Sequence, residues 1–151
     1  MIAIMPIEFW LEKAISKKSI ETATDLYDVS SEFLAPIKRY LQQDPSSGTQ
    51  AALYLISKLK SKSSARRAKI IFLMDYLLCR CQSFRNKLLA DMSYVNEVLE
   101  DSKTDEDMKA QLMQLLELWD LKYGKSFPSL RCLSRYLRET IRVVTSDVVV
   151  S

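Results

Sequence analysis

Apolar residues recur every three or four positions through most of the chain, a helical period. Near the start, Pro6 stands where a first helical position tolerates it, and Phe9, Trp10 and Ala14 follow in a short helix. The segment Ser19–Phe33 carries Ile20, Ala23, Leu26, Tyr27 and Val29, with Ser19 and Glu21-Thr22 as start signals. Phe33-Leu34-Ala35-Pro36 reads as a turn into IKRYLQQ, where Ile37, Tyr40 and Leu41 form a short stripe. Asp44–Gly48 is the clearest break, and Thr49 can cap a helix with Ala52, Leu55, Ile56 and Leu59 on one face. After the polar connector Lys60–Ser64, with Ser64 as cap, ARRAKIIFLMDYLLCRC is apolar nearly all round from Ile70 to Cys81. Such a helix belongs in the middle of a bundle.

The second half repeats the pattern. Phe84, Leu88 and Leu89 continue in Gln82–Met92, and Tyr94–Leu99 is a further short apolar piece. Ser102–Asp107 is an acidic connector with Thr104 and Asp107 in capping-box register. The next helix sets Met108, Leu112, Leu115, Leu116, Trp119 and Tyr123 on one wide face and ends at Gly124, where a left-handed residue is expected. A last helix near Pro128 places Leu130, Leu133, Leu137 and Ile141 together. The expectation is an all-α chain of about eight helices with short loops, stacked as in a solenoid. Residues 1–143 read as one helical domain. Residues 144–151, TSDVVVS at their end, read as a tail that begins a linker in a longer protein.

Composition narrows the chemistry. The 151 residues include no histidine, so Ser-His-Asp and Cys-His catalysis and histidine zinc ligands fall away. Two glycines, Gly48 and Gly124, cannot build a phosphate-cradling loop. An enzyme is therefore not expected, nor a cofactor. Three cysteines suggest no disulfide framework and a reducing compartment. Cys79 and Cys81, read as neighbours on one helix, point roughly 200° apart and do not chelate one metal; buried small apolar residues are the simpler reading. MIAIMPIEFWLEKAI has no basic n-region and carries Glu8 and Glu12, unlike a signal peptide. Cytosol or nucleus remains.

The net charge of +3 is too small to imply nucleic-acid binding by itself, so function must come from local clusters. Lys58, Lys60, Lys62, Arg66, Arg67 and Lys69 form an acid-free run. Either they present a basic edge to an acidic protein surface or a phosphate backbone, or they are helix-end and solvated charges. Arg66 and Arg67 oppose a helix N-terminus, which the second account leaves unexplained. Arg131, Arg135, Arg138 and Arg142 make one stripe down the last helix. They either clamp carboxylates or phosphates in pairs, or are the polar face of an amphipathic helix with Glu139 as internal partner. The carboxylates Glu97, Glu100, Asp101, Asp105, Glu106 and Asp107 cluster at a connector and read as a solvated loop rather than an acid–base site.

The order of FWLEKAIS, DLYDVSS, AALYLISKLKSKSSARRAKIIFLMDYLLCRCQSFR and LELWDLKYGKSFPSLRCLSRYLRE resembles the VHS/ENTH family, from about Phe9 to Glu139. Arg80-Cys-Gln-Ser-Phe84-Arg85, and Trp119 with Lys122-Tyr123-Gly124 ahead of Tyr136-Leu137-Arg138, are most similar to the N-terminal domains of the UV-stimulated scaffold family of transcription-coupled repair factors. The resemblance implies a right-handed superhelix and a nuclear, non-catalytic platform for repair ubiquitin-ligase or RNA polymerase II subunits. It implies no small-molecule substrate and no membrane insertion. Endosomal relatives bind ubiquitin through a second-helix tryptophan, whose position here holds Ile20, or bind sorting signals. An endosomal adaptor and a helical reader of the phosphorylated polymerase tail are the alternatives. Direct nucleic-acid contact is the weakest of the partner readings.

Overall fold

The structure, a computed structural model, describes residues 5–16, 29–61, 63–101 and 103–150, the last ten as backbone. The described residues form eight α-helices and one 3-10 turn joined by short connections, and contain no strand. They are α1 (Ile7–Ile15), α2 (Ser31–Gln43), the 3-10 turn (Pro45–Ser47), α3 (Gly48–Lys58) and α4 (Ser64–Leu78). Then follow α5 (Gln82–Ala90), α6 (Ser93–Glu100), α7 (Glu106–Tyr123) and α8 (Pro128–Val150). No described helix is long and apolar enough to cross a membrane. The chain forms two compact units, Met1–Leu88 and Leu89–Ser151.

In the first unit α1 packs against α2, α3 and α4. Its Ile7, Leu11, Ala14 and Ile15 are completely buried, which the i, i+4, i+7, i+8 spacing dictates. Helix α4 is the most enclosed: Ala68, Ile70, Ile71, Leu73, Met74 and Leu77 are all buried. Each such large aliphatic side chain contributes about 1.5–3 kcal/mol relative to exposure. The all-round apolar run therefore sits where its composition requires. In the second unit α7 packs on α8, and Met108, Leu112, Leu116, Trp119 and Leu130 are buried.

Several local expectations are corrected. Phe33–Pro36 is no turn: α2 runs straight through Pro36, which lacks the N–H that Glu32 would accept and otherwise continues the helix. Thr49 does not cap α3. The 3-10 turn runs directly into Gly48, and the Asp44 carboxylate instead accepts from Ser46 Oγ at 2.6 Å and Ser47 Oγ at 2.7 Å. The cap of α4 is Ser63, not Ser64; its hydroxyl accepts from the Arg66 N–H at 3.2 Å. Thr104 is buried and donates to Val98 O at 2.8 Å, leaving Asp105 to cap α7 by accepting from the Asp107 N–H at 2.9 Å. Helix α4 ends at Leu78, so Cys79 and Cys81 lie beyond it, the first exposed and the second buried. The backbone of α8 stays helical to Val150, through most of the stretch read as a tail. The helix expected to begin at Ser19 lies largely outside the described residues, as does Ile20.

Gly124 is the most informative correction. Its φ is −56°, ordinary right-handed helix, so conformational freedom is not why glycine stands there. A Cβ at Gly124 would overlap Asp120 Oδ1 and come within 2.5 Å of Arg131 Nη2 and 2.6 Å of the Asp120 carbonyl. Glycine is needed for room.

Candidate functional site

The basic run before α4 divides three ways. Lys58 is half-buried, with its ammonium 5.4 Å from the Tyr54 ring centroid, and Lys60 is exposed. Lys62 lies outside the described residues. Arg66 turns back toward α1: its Nη2 donates to Glu12 Oε1 at 2.8 Å and Oε2 at 3.0 Å. Tyr54 Oη, from α3, donates to the same carboxylate. Arg67 is 8% exposed, and its Nε donates to Leu59 O at 3.0 Å. Leu59 is the C-cap of α3, so a guanidinium satisfies a carbonyl that the helix end leaves open. Lys69 is 0% exposed. The run is therefore not one basic edge. Arg67 and Lys69 face inward, and Arg66 pins α4 to α1, which explains why arginines stand at an electropositive helix start.

The Glu12 cluster is partly wet. Burial works against ionisation, but the Tyr54 hydroxyl and the Arg66 guanidinium outweigh it, with Lys58 adding to them, and hold Glu12 below the usual carboxylate range. Desolvation, with the Glu12 carboxylate beside it, pushes the Tyr54 phenol above its ordinary value. Tyr54 stays a neutral donor.

The arginine stripe of α8 is likewise divided. Asp120 on α7 is buried, and its two oxygens are each taken by a different arginine. Arg131 Nε donates to Oδ1 at 2.9 Å, and Arg138 Nη2 donates to Oδ2 at 2.9 Å. Arg131 Nη2 also donates to the Asp120 carbonyl at 3.2 Å. The clamp on a carboxylate weighed for this stripe thus exists, but the carboxylate is internal. Arg135 is exposed; Arg142 is described as backbone. The acidic residues Glu97, Glu100, Asp105, Glu106 and Asp107 are exposed, and no group of three or more metal-ligating side chains occurs among the described residues.

One feature of the first unit had no counterpart in the sequence reading. A cavity of about 650 Å³ opens between the end of α2, the 3-10 turn, the end of α4 and the start of α5. Lys38 and Arg80 line it together with Leu41, Tyr76, Leu77 and Cys81. The adjacency of Arg80 to Tyr76 in one helical turn was the available signal; the contribution of α2 had none.

The model of the UVSSA N-terminal domain matches residues 12–141, and the chain belongs to that family of repair-factor domains. No curated protein matches the chain.

Proposed function

We propose that the chain is a non-catalytic, nuclear interaction domain that helps gather repair proteins at stalled RNA polymerase II. The family match over residues 12–141 is the observation that supports this reading. The partners proposed are subunits of a repair ubiquitin ligase or of the polymerase itself. Lys60 and Arg135, exposed among the described residues of the two basic clusters, are the side chains proposed to meet an acidic partner. Arg66, Arg67, Arg131 and Arg138 serve the fold, and reversing them would test folding rather than docking.

The test is interferometry with the immobilised 151-residue chain against a purified stalled polymerase complex, with and without the ubiquitin ligase. Binding is expected, weakened about tenfold by Lys60→Glu or Arg135→Glu, at unchanged helicity. Absence of binding to either assembly overturns the reading. Saturable binding of free ubiquitin with none to the polymerase complex assigns the chain to adaptor work instead.

A further inference from the structure

We propose that the 650 Å³ cavity of the first unit is a docking site for an acidic peptide segment bearing one large apolar side chain. This goes beyond the function proposed above and rests on the geometry of one unit alone. The volume lies within the range of ligand-holding clefts, which are concave, largely apolar and carry few polar groups. Here the lining surface is mostly apolar: Leu41 and Leu77 are buried and Tyr76 is half-buried, with the polar Gln42, Gln82 and Asn86 beside them. The apolar part asks for an apolar side chain.

The charge at the cavity is of one sign. Lys38 and Arg80 are both exposed, and no Asp or Glu lines it. Asp44, beside the lining Ser46, accepts from the Ser46 and Ser47 hydroxyls and keeps its negative charge, so the two lining cations outnumber it there. Arg80 is held in place before any ligand arrives. Its guanidinium carbon lies 3.8 Å from the Tyr76 ring centroid, and Nη1 donates to Tyr76 O at 2.8 Å. A stacked, tethered guanidinium loses less freedom on binding a carboxylate than a loose one, and its planar fork suits a carboxylate. Two cations beside an apolar surface match a short acidic peptide better than a nucleic-acid backbone, which needs a longer run of cations and no apolar slot.

The wall is built close. Ser83 Oγ donates to Pro45 O, tying α5 to the 3-10 turn. A Cβ at Gly48 would overlap Ser83 Oγ and come within 2.6 Å of Cys81 Sγ and 2.7 Å of the Phe84 nitrogen. Glycine there lets α3 and the start of α5 approach, which sets one side of the cavity.

The experiment uses the whole 151-residue chain and four fluorescein-tagged hexapeptides with one central leucine. Their other residues are acidic, amide-substituted, lysine, or phosphoserine. The acidic peptide is expected to bind, to weaken with salt, and to shift amide resonances around Arg80 to Ser83. Lys38→Glu with Arg80→Glu should lower its affinity at least about tenfold, while Arg135→Glu leaves it unchanged. Replacing the central leucine with serine should weaken it as well. Equal binding of the amide peptide, preference for phosphoserine alone, or shifts confined to other residues each overturn the proposal. Because neither Lys60 nor Arg135 enters this site, its failure leaves the polymerase reading standing, and the converse holds.

Discussion

The two units hold their helices with the same device in two dielectric settings. In the first, Arg66 and Tyr54 meet Glu12, whose side chain keeps 42% of its exposure. In the second, Arg131 and Arg138 meet Asp120, whose side chain keeps 6%. Exposed ion pairs contribute little because water already solvates both charges. A buried carboxylate has no such alternative, so removing its partners leaves an uncompensated charge. The comparison teaches that arginine–carboxylate contacts of similar length can differ in consequence, with burial of the acid deciding which matters.

The strongest way to break the comparison is to remove both partners of Asp120. Arg131→Met with Arg138→Met should cost about 3–5 kcal/mol in urea unfolding, the range for orphaning a buried charge. Adding Asp120→Asn should return part of that loss, since an amide is cheaper to bury than a carboxylate. A double variant no less stable than Arg66→Met would show that the second cluster is as wet as the first.

Gly124→Ala sharpens the same point from the side of space. Propensity alone predicts a gain of about 0.5–1 kcal/mol, because the backbone there is already right-handed. The clash with Asp120 and Arg131 predicts a loss of about 1–3 kcal/mol instead. We expect the loss, with weakened coupling between Asp120 and Arg131 in a double-mutant cycle. A stabilised Gly124→Ala variant would mean that the cluster yields easily.

Much of the helical frame was legible, because it is written locally. The i, i+4 stripe Leu112, Leu116 put Trp119 beside the core, and Ile70–Leu78 is too apolar for any but an enclosed helix. The same stripe extends one further step to Asp120, so a buried acid awaiting a cationic partner could have been read there. Glu12 could not. Its partner Arg66 lies 54 positions away, and no periodicity encodes a pairing that depends on how α1, α3 and α4 pack. The basic clusters were visible as lists of charges, but which members turn inward is a property of packed helices. Caps were misread by a residue or two for a similar reason: Thr104 was drawn to Val98 O, so Asp105 took the helix start.

Ser63→Ala carries a smaller expected effect. It removes the hydroxyl that receives the Arg66 N–H and so loosens the turn from which Arg66 reaches Glu12. A lost N-cap costs about 1 kcal/mol. If the helix start also positions the guanidinium, Ser63→Ala and Glu12→Gln should be less than additive in urea unfolding. Strict additivity would separate the cap from the ion pair.

The smallest effect belongs to Glu12→Gln near neutral pH, about 0.2–1 kcal/mol, as for other half-exposed pairs. Its pH dependence tests the mechanism more sharply than its size. Folding lowers the Glu12 pKa from the ordinary value of 4.5, so the unfolded chain holds that proton more tightly. The stabilisation is therefore complete above the unfolded pKa and fades as pH falls through the folded one. The gap between wild type and Glu12→Gln should close as pH falls below 4.5 through the lower folded pKa, and should also narrow in high salt. The gap between wild type and the Arg131→Met, Arg138→Met variant should respond far less to salt, because Asp120 is shielded from it. Equal salt responses of the two gaps would erase the distinction between the units, since screening reaches only charges that water reaches.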